Sequence, residues 1–75
     1  MEYYGYGHDN VIVTLYRLQR NSDGLMTSLE GCNKHADWQD VHGALEMIES
    51  DPDITKLSAK DAKTLAEGFG KKLES

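Results

Sequence analysis

The stretch VIVTLYRLQR, Val11–Arg20, decides the fold. Its β-branched and aromatic residues suit a pleated, half-buried surface better than a helix, so it reads as a strand. Asn21, Ser22, Asp23 and Gly24 follow with turn chemistry, and Gly24 is suited to the positive φ that closes a short loop. LMTSLEG, residues 25–31, then returns as a second strand, which makes residues 11–31 an antiparallel hairpin. Neither strand alternates cleanly. Val11, Val13 and Leu15 share one face while Ile12, Tyr16 and Leu18 load the other, so both sides of the hairpin are expected to be covered, one by helices and the other by a partner chain.

Upstream, MEYYGYGHDN (residues 1–10) shows no period and reads as an irregular arm rich in tyrosine and glycine. Downstream, residues 37–50 place Trp38, Val41, Ala44, Leu45 and Ile48 at helical spacing, with Asp37 as N-cap and Asp40 completing a capping box. Gly43 weakens that helix by about 1 kcal/mol relative to alanine, and Pro52 between two aspartates ends it. A second helix reads over residues 58–73: Ser58 caps it, Asp61 answers the cap, Leu57 staples onto Ala62, and Ala62, Leu65, Ala66, Phe69 and Leu73 form its apolar face. Ile54 and Leu57 are compatible with a short third strand, which the sequence leaves open. The expected architecture is α+β, a single domain over residues 1–75 in the order ββαα, with both helices on one face of the hairpin.

The chain has 75 residues, a length at which folding hides only roughly 60% of the chain's surface. Eight basic against thirteen acidic residues give a net charge of -5, the wrong sign for a protein that coats nucleic acid. Cys32 is the sole cysteine, so no internal disulfide forms and a reducing, cytoplasmic setting is expected, with Cys32 a small residue half buried at a strand end. The first residues have neither a basic nor an apolar leader region, and the apolar runs are too short to span a bilayer.

Charge is unevenly placed. Residues 37–53 carry Asp37, Asp40, Glu46, Glu49, Asp51 and Asp53 with no lysine or arginine, whereas residues 54–75 carry five lysines against three acids. Such a string of carboxylates on a small body is suited to the basic surface of a larger protein. Asp37 and Asp40 also have a local explanation as helix N-terminal residues, and Asp51 and Asp53 as flanks of the proline turn. Asp40, Glu46, Glu49 and Asp53 are therefore the acidic candidates for partner binding. Tyr3, Tyr4 and Tyr6 join them, since tyrosine buries a large ring while keeping a polar tip; the same rings are equally suited to packing along the hairpin edge.

Other chemistry is weakly represented. Cys32-x-x-His35 has a spacing found in zinc sites, but His8 and His42 do not complete a paired pattern, and neither a metal nor a cofactor is expected. Gly5-Tyr6-Gly7 lacks the strand and helix that frame a phosphate loop, and Ser22, Ser28 and Cys32 lack a nucleophile's context, so no enzyme is expected. Lys56, Lys60, Lys63, Lys71 and Lys72 give the second helix a basic side that reads as a solvated surface. The resulting expectation is a non-enzymatic acidic binding protein that inhibits or modulates a larger partner by occupying a basic surface. Small proteins of this kind are encoded by phages and mobile elements, anti-CRISPR inhibitors among them. The alternative is a structural or regulatory homodimer pairing through the hairpin, and a third reading is a nucleic-acid regulator working through the lysines.

Overall fold

The computed structural model describes residues 1–8 and 11–71 of the chain. Strands β1 (Glu2–His8), β2 (Val11–Arg20), β3 (Met26–Asn33), β4 (Gln39–Asp40) and β5 (Ile54–Leu57) are accompanied by helices α1 (Leu45–Ser50) and α2 (Ala59–Gly68). The strands form one antiparallel sheet in the order β4-β3-β2-β1-β5. The hairpin of β2 and β3 is present, with Leu18 opposite Leu29 and Tyr16 opposite Gly31, and Gly24 in its turn at φ 82°. The fold is thus α+β, but a five-stranded sheet with two helices replaces the simple ββαα arrangement.

Three expectations are corrected. Residues 2–8 are not an irregular arm: β1 pairs with β2 on one side and β5 on the other, so its backbone groups are taken up by neighbours far along the chain. Residues 37–50 are not one helix. Gln39–Asp40 pair with Glu30 and Gly31, the N–H of Val41 donates to the carbonyl of Leu29 at 2.9 Å, a 3₁₀ turn covers His42–Ala44, and only Leu45–Ser50 are α-helical. Trp38 and Val41, three apart, mimic a helical stripe, but on extended backbone an odd separation sends them to opposite faces. Finally, the helices do not share a face.

Period-2 alternation assigns the faces. On one side Tyr3, Leu15 and Cys32 are buried against Ala62 and Ala66 of α2, with Trp38, Leu57, Leu65 and Phe69 packed around them. On the other, Tyr16, Leu18, Leu29 and Ile48 form a second core that includes Tyr4, Tyr6, Val41 and Leu45. The second hairpin face is therefore covered by α1 of the same chain. Leu15, Leu18 and Leu29 are wholly buried, and each contributes about 1.5–3 kcal/mol. Cys32 is buried, and burial pushes its thiol above the usual range.

One irregularity changes the side on which β2 presents its first residues. Tyr6 pairs with Thr14 but Gly7 pairs with Ile12, leaving Val13 as the extra residue of a β-bulge. Beyond the bulge Ile12 swings to the α2 side, where its side chain lies over Gly5 beside Leu57. Val11 and Val13 remain on the surface.

α2 begins as its sequence requires: the Ser58 hydroxyl accepts from the N–H of Asp61 at 3.1 Å. It closes through Lys71 N–H donating to the Ala66 carbonyl at 2.9 Å and Gly70 N–H to Glu67 at 3.0 Å, a Schellman arrangement. The expected continuation to Leu73 lies outside the described residues. Among the described residues no helix is long and apolar enough to cross a membrane.

Candidate interaction surface

β4 and β5 occupy opposite edges of the sheet, so the chain between them must cross every other strand. It does so over the α1 face, and this crossover carries the acidic string. Four interstrand steps at about 4.8 Å make the crossing about 19 Å wide. Asp40 stands exposed at the β4 edge, Glu46 and Glu49 stand exposed on α1, and Asp51 and Asp53 are half-buried just before β5. Ile48 points the other way, into the core beneath.

The acidic side chains divide by local bonding. Asp40 accepts from His42 N–H at 3.1 Å and contacts the His42 ring, and these bonds hold its carboxyl below the usual range. Asp51 accepts from Asp53 N–H at 2.9 Å, and Asp53 lies 3.4 Å from His8 Nδ1. Asp37 caps no helix; it accepts from Trp38 N–H at 2.9 Å. Glu46 and Glu49 make no ion pair among the described residues, which leaves them the most available of the four acidic candidates.

The tyrosines separate. Tyr3 is only 6% exposed and belongs to the α2-side core, so its ring is not on the surface. Tyr4 and Tyr6 are half-buried on the α1 side, with Tyr6 stacked edge-on to His8 at 6.0 Å between centroids. Tyr4 Oη donates to Glu2 Oε1 at 2.7 Å, Arg20 Nε donates to Glu2 Oε2 at 2.7 Å, and Lys56 Nζ lies 3.9 Å from Glu2. The bonds from Tyr4 and Arg20 lower the Glu2 carboxyl, while burial and the Glu2 charge raise the Tyr4 phenol. Glu49 lies close enough to favour the Arg20 cation as well, so this cluster borders the acidic crossover. The cluster was not anticipated: Glu2 and Arg20 meet only through the β1–β2 register, and neither carries a local signal.

On the opposite face, Arg17 lies 3.9 Å over the Trp38 ring and both its Nε and Nη2 stand 2.9 Å from Glu30 Oε1. Trp38 therefore packs on the α2 side, away from α1, and its buried Nε1 has no partner among the described residues. No three His, Cys, Asp or Glu side chains among the described residues come together as metal ligands. Lys60 and Lys63 project from α2 into solvent, whereas Lys72 lies outside the described residues.

An open groove of about 430 Å³ sits at the far end of the hairpin, lined by residues 11–14, 33–35 and Phe69. It lies where β3 stops at Asn33 and turns away, the Asn33 side chain accepting from the N–H groups of His35 and Ala36 at 2.8 Å each. No protein-family model, characterised protein or solved structure matches the chain.

Proposed function

We propose that this chain is a non-enzymatic binding protein that inhibits or modulates a larger partner by laying its acidic crossover on a basic surface. The observation that carries the reading is the path of residues 41–53 across the whole sheet, which spreads one sign of charge over a rigid face about 19 Å wide. Helix α1 is anchored below by Ile48 and shows Glu46 and Glu49 above, so the charges are presented without a loop that must be ordered first. A groove that ordinarily holds nucleic acid is the kind of basic surface such a face fits, as for the small inhibitors of phages and mobile elements, including anti-CRISPR proteins. The buried, unpaired Cys32 fits a reducing, cytoplasmic setting. The reading assigns no catalytic group, metal or cofactor.

The test is a Glu46→Lys, Glu49→Lys double variant in affinity capture at low and high salt. Both positions are exposed, so the melt should be unchanged while association slows about tenfold and loses its salt dependence. Retention of the same partner with unaltered salt response would sink the proposal. A homodimer through the hairpin is the second reading, supported by the β3 backbone at residues 26–28, which has no strand on its outer side among the described residues, beside Leu25, which is 65% exposed. A mass that stays at the 8.4 kDa of one chain at every concentration by light scattering would dismiss it.

A further inference from the structure

We propose that the groove at the far end of β2 is a second binding site, which takes an extended segment of a partner protein as an added strand, an apolar side chain seated inward and a carboxylate at the rim. The backbone argument comes first. β2 continues for three residues beyond its last pair with β3, Thr14 with Asn33, so residues 11–13 have β1 on one side and no strand on the other among the described residues. An unpaired stretch at the end of an otherwise paired strand is a template for β-augmentation. Three residues at about 3.4 Å each give a ladder at most about 10 Å long, bent by the bulge at Val13.

Side chains then define the occupant. Ile12 and Phe69 both line the groove, and Val11 and Val13 line it at 60% and 49% exposure. The polar lining is Asn33, Lys34 and His35, with no acid among the described lining residues. Lys34 and His35 are exposed in the turn that ends β3, so an apolar strand entering the groove brings its carboxylate to the one basic rim beside it. This chemistry is opposite in sign to that recognised by the acidic crossover. The two sites lie on different parts of the molecule and stand or fall separately.

The probe is a short synthetic peptide alternating valine and threonine, ending in leucine with a free carboxylate, titrated to concentrations on the order of millimolar into the full chain and followed by backbone amide NMR. The expected result is shifts at residues 11–13 and 33–35 and new protection from hydrogen exchange at residues 11–13. Amidation of the peptide terminus or Lys34→Glu should weaken binding about two- to fivefold at low salt, as for an exposed ion pair. Val13→Asp, at a surface position outside both cores, should weaken it about tenfold, and a proline at the centre of the peptide should abolish it. Glu46→Lys with Glu49→Lys should leave it unchanged. The proposal is overturned by an absence of shifts, by shifts confined to the α1 face, by equal binding of the proline peptide, or by peptide-free shifts that follow protein concentration, which would mean a second copy fills the groove.

Discussion

Replacing Gly7 with alanine is a direct test of the bulge that sets the faces of β2. A Cβ at this position would overlap the carbonyl oxygen of Val11 and stand 2.7 Å from the carbonyl carbon and 2.8 Å from Ile12 Cα. All three are backbone atoms, so no side chain can rotate away. The shortfall against ordinary contact is about 0.7 Å at the carbon, and a forced shift of this kind costs about 1–3 kcal/mol. If the pair relieves the overlap by losing its bulge, Ile12 turns to the wrong side and its partial burial is forfeited, a further loss of about 1–1.5 kcal/mol, about half the value of a fully buried side chain. The combined cost of about 2–4.5 kcal/mol compares with a total stability of about 4–11 kcal/mol for a chain of this length. Urea unfolding followed by Trp38 fluorescence should show the midpoint fall by about 2 M or more, given a slope near 1 kcal/mol/M. Gly43→Ala is the control, because open space surrounds that position and alanine should leave stability equal or raise it by up to about 1 kcal/mol. An unchanged midpoint for Gly7→Ala would refute the bulge and with it the assignment of Ile12 to the α2 side.

Three further outcomes are expected. Trp38→Phe should cost about 1 kcal/mol and Trp38→Ala about 3, since the indole N–H has no partner to lose among the described residues; equal losses in urea titration would show that it is engaged. Cys32 should react with a thiol reagent only as fast as the chain opens, because its thiol is buried and shifted upward; burst labelling of native protein would contradict this. Stability should fall at both ends of the pH scale: Glu2, held below its ordinary 4.5, stabilises above that value and loses the contribution as pH drops through its folded value, whereas Tyr4 and Tyr16, raised above 10.0, stabilise below that value and lose it as pH rises through theirs. The acid limb should flatten in Glu2→Gln, and an identical limb would remove the Glu2 cluster as its cause.

Local chemistry made the hairpin and α2 legible. Turn residues at 21–24 and the Ser58–Asp61 cap act within a few positions, and both appear where the sequence places them. The remaining elements depend on distant partners. Tyr3 opposes Leu57, and nothing within residues 1–8 announces a strand that arrives fifty-odd positions later. Val13's bulge is likewise a property of two strands: it moves Ile12 to the face of Leu15, while β2 loads both faces because Leu15 packs under α2 and Tyr16 and Leu18 under α1. Residues 37–50 misled because Trp38 and Val41 satisfy helical spacing while occupying opposite faces. Of the acidic candidates, Asp40, Glu46 and Glu49 are exposed and Asp53 is half-buried beside His8, and their alignment across the sheet requires knowing that β4 and β5 are opposite edges. Tyr3 was placed among surface candidates because aromatic residues in an arm and in a strand are indistinguishable by composition.

The insertion of β1 between β2 and β5 has a consequence during synthesis. The first strand leaves the ribosome early, yet its second neighbour is made only when residues 54–57 appear, so β1 must wait with one side of its backbone bare. Throughout that interval Tyr3 lacks Leu57 and the whole of α2, and the nascent chain offers an aromatic strand edge to any other chain nearby. Closure joins residues about fifty positions apart, a contact whose loop-closure entropy must be met before the pairing rewards it. A variant of residues 1–75 truncated after Asp53 should accumulate as insoluble product, while residues 1–75 themselves should partition to the supernatant.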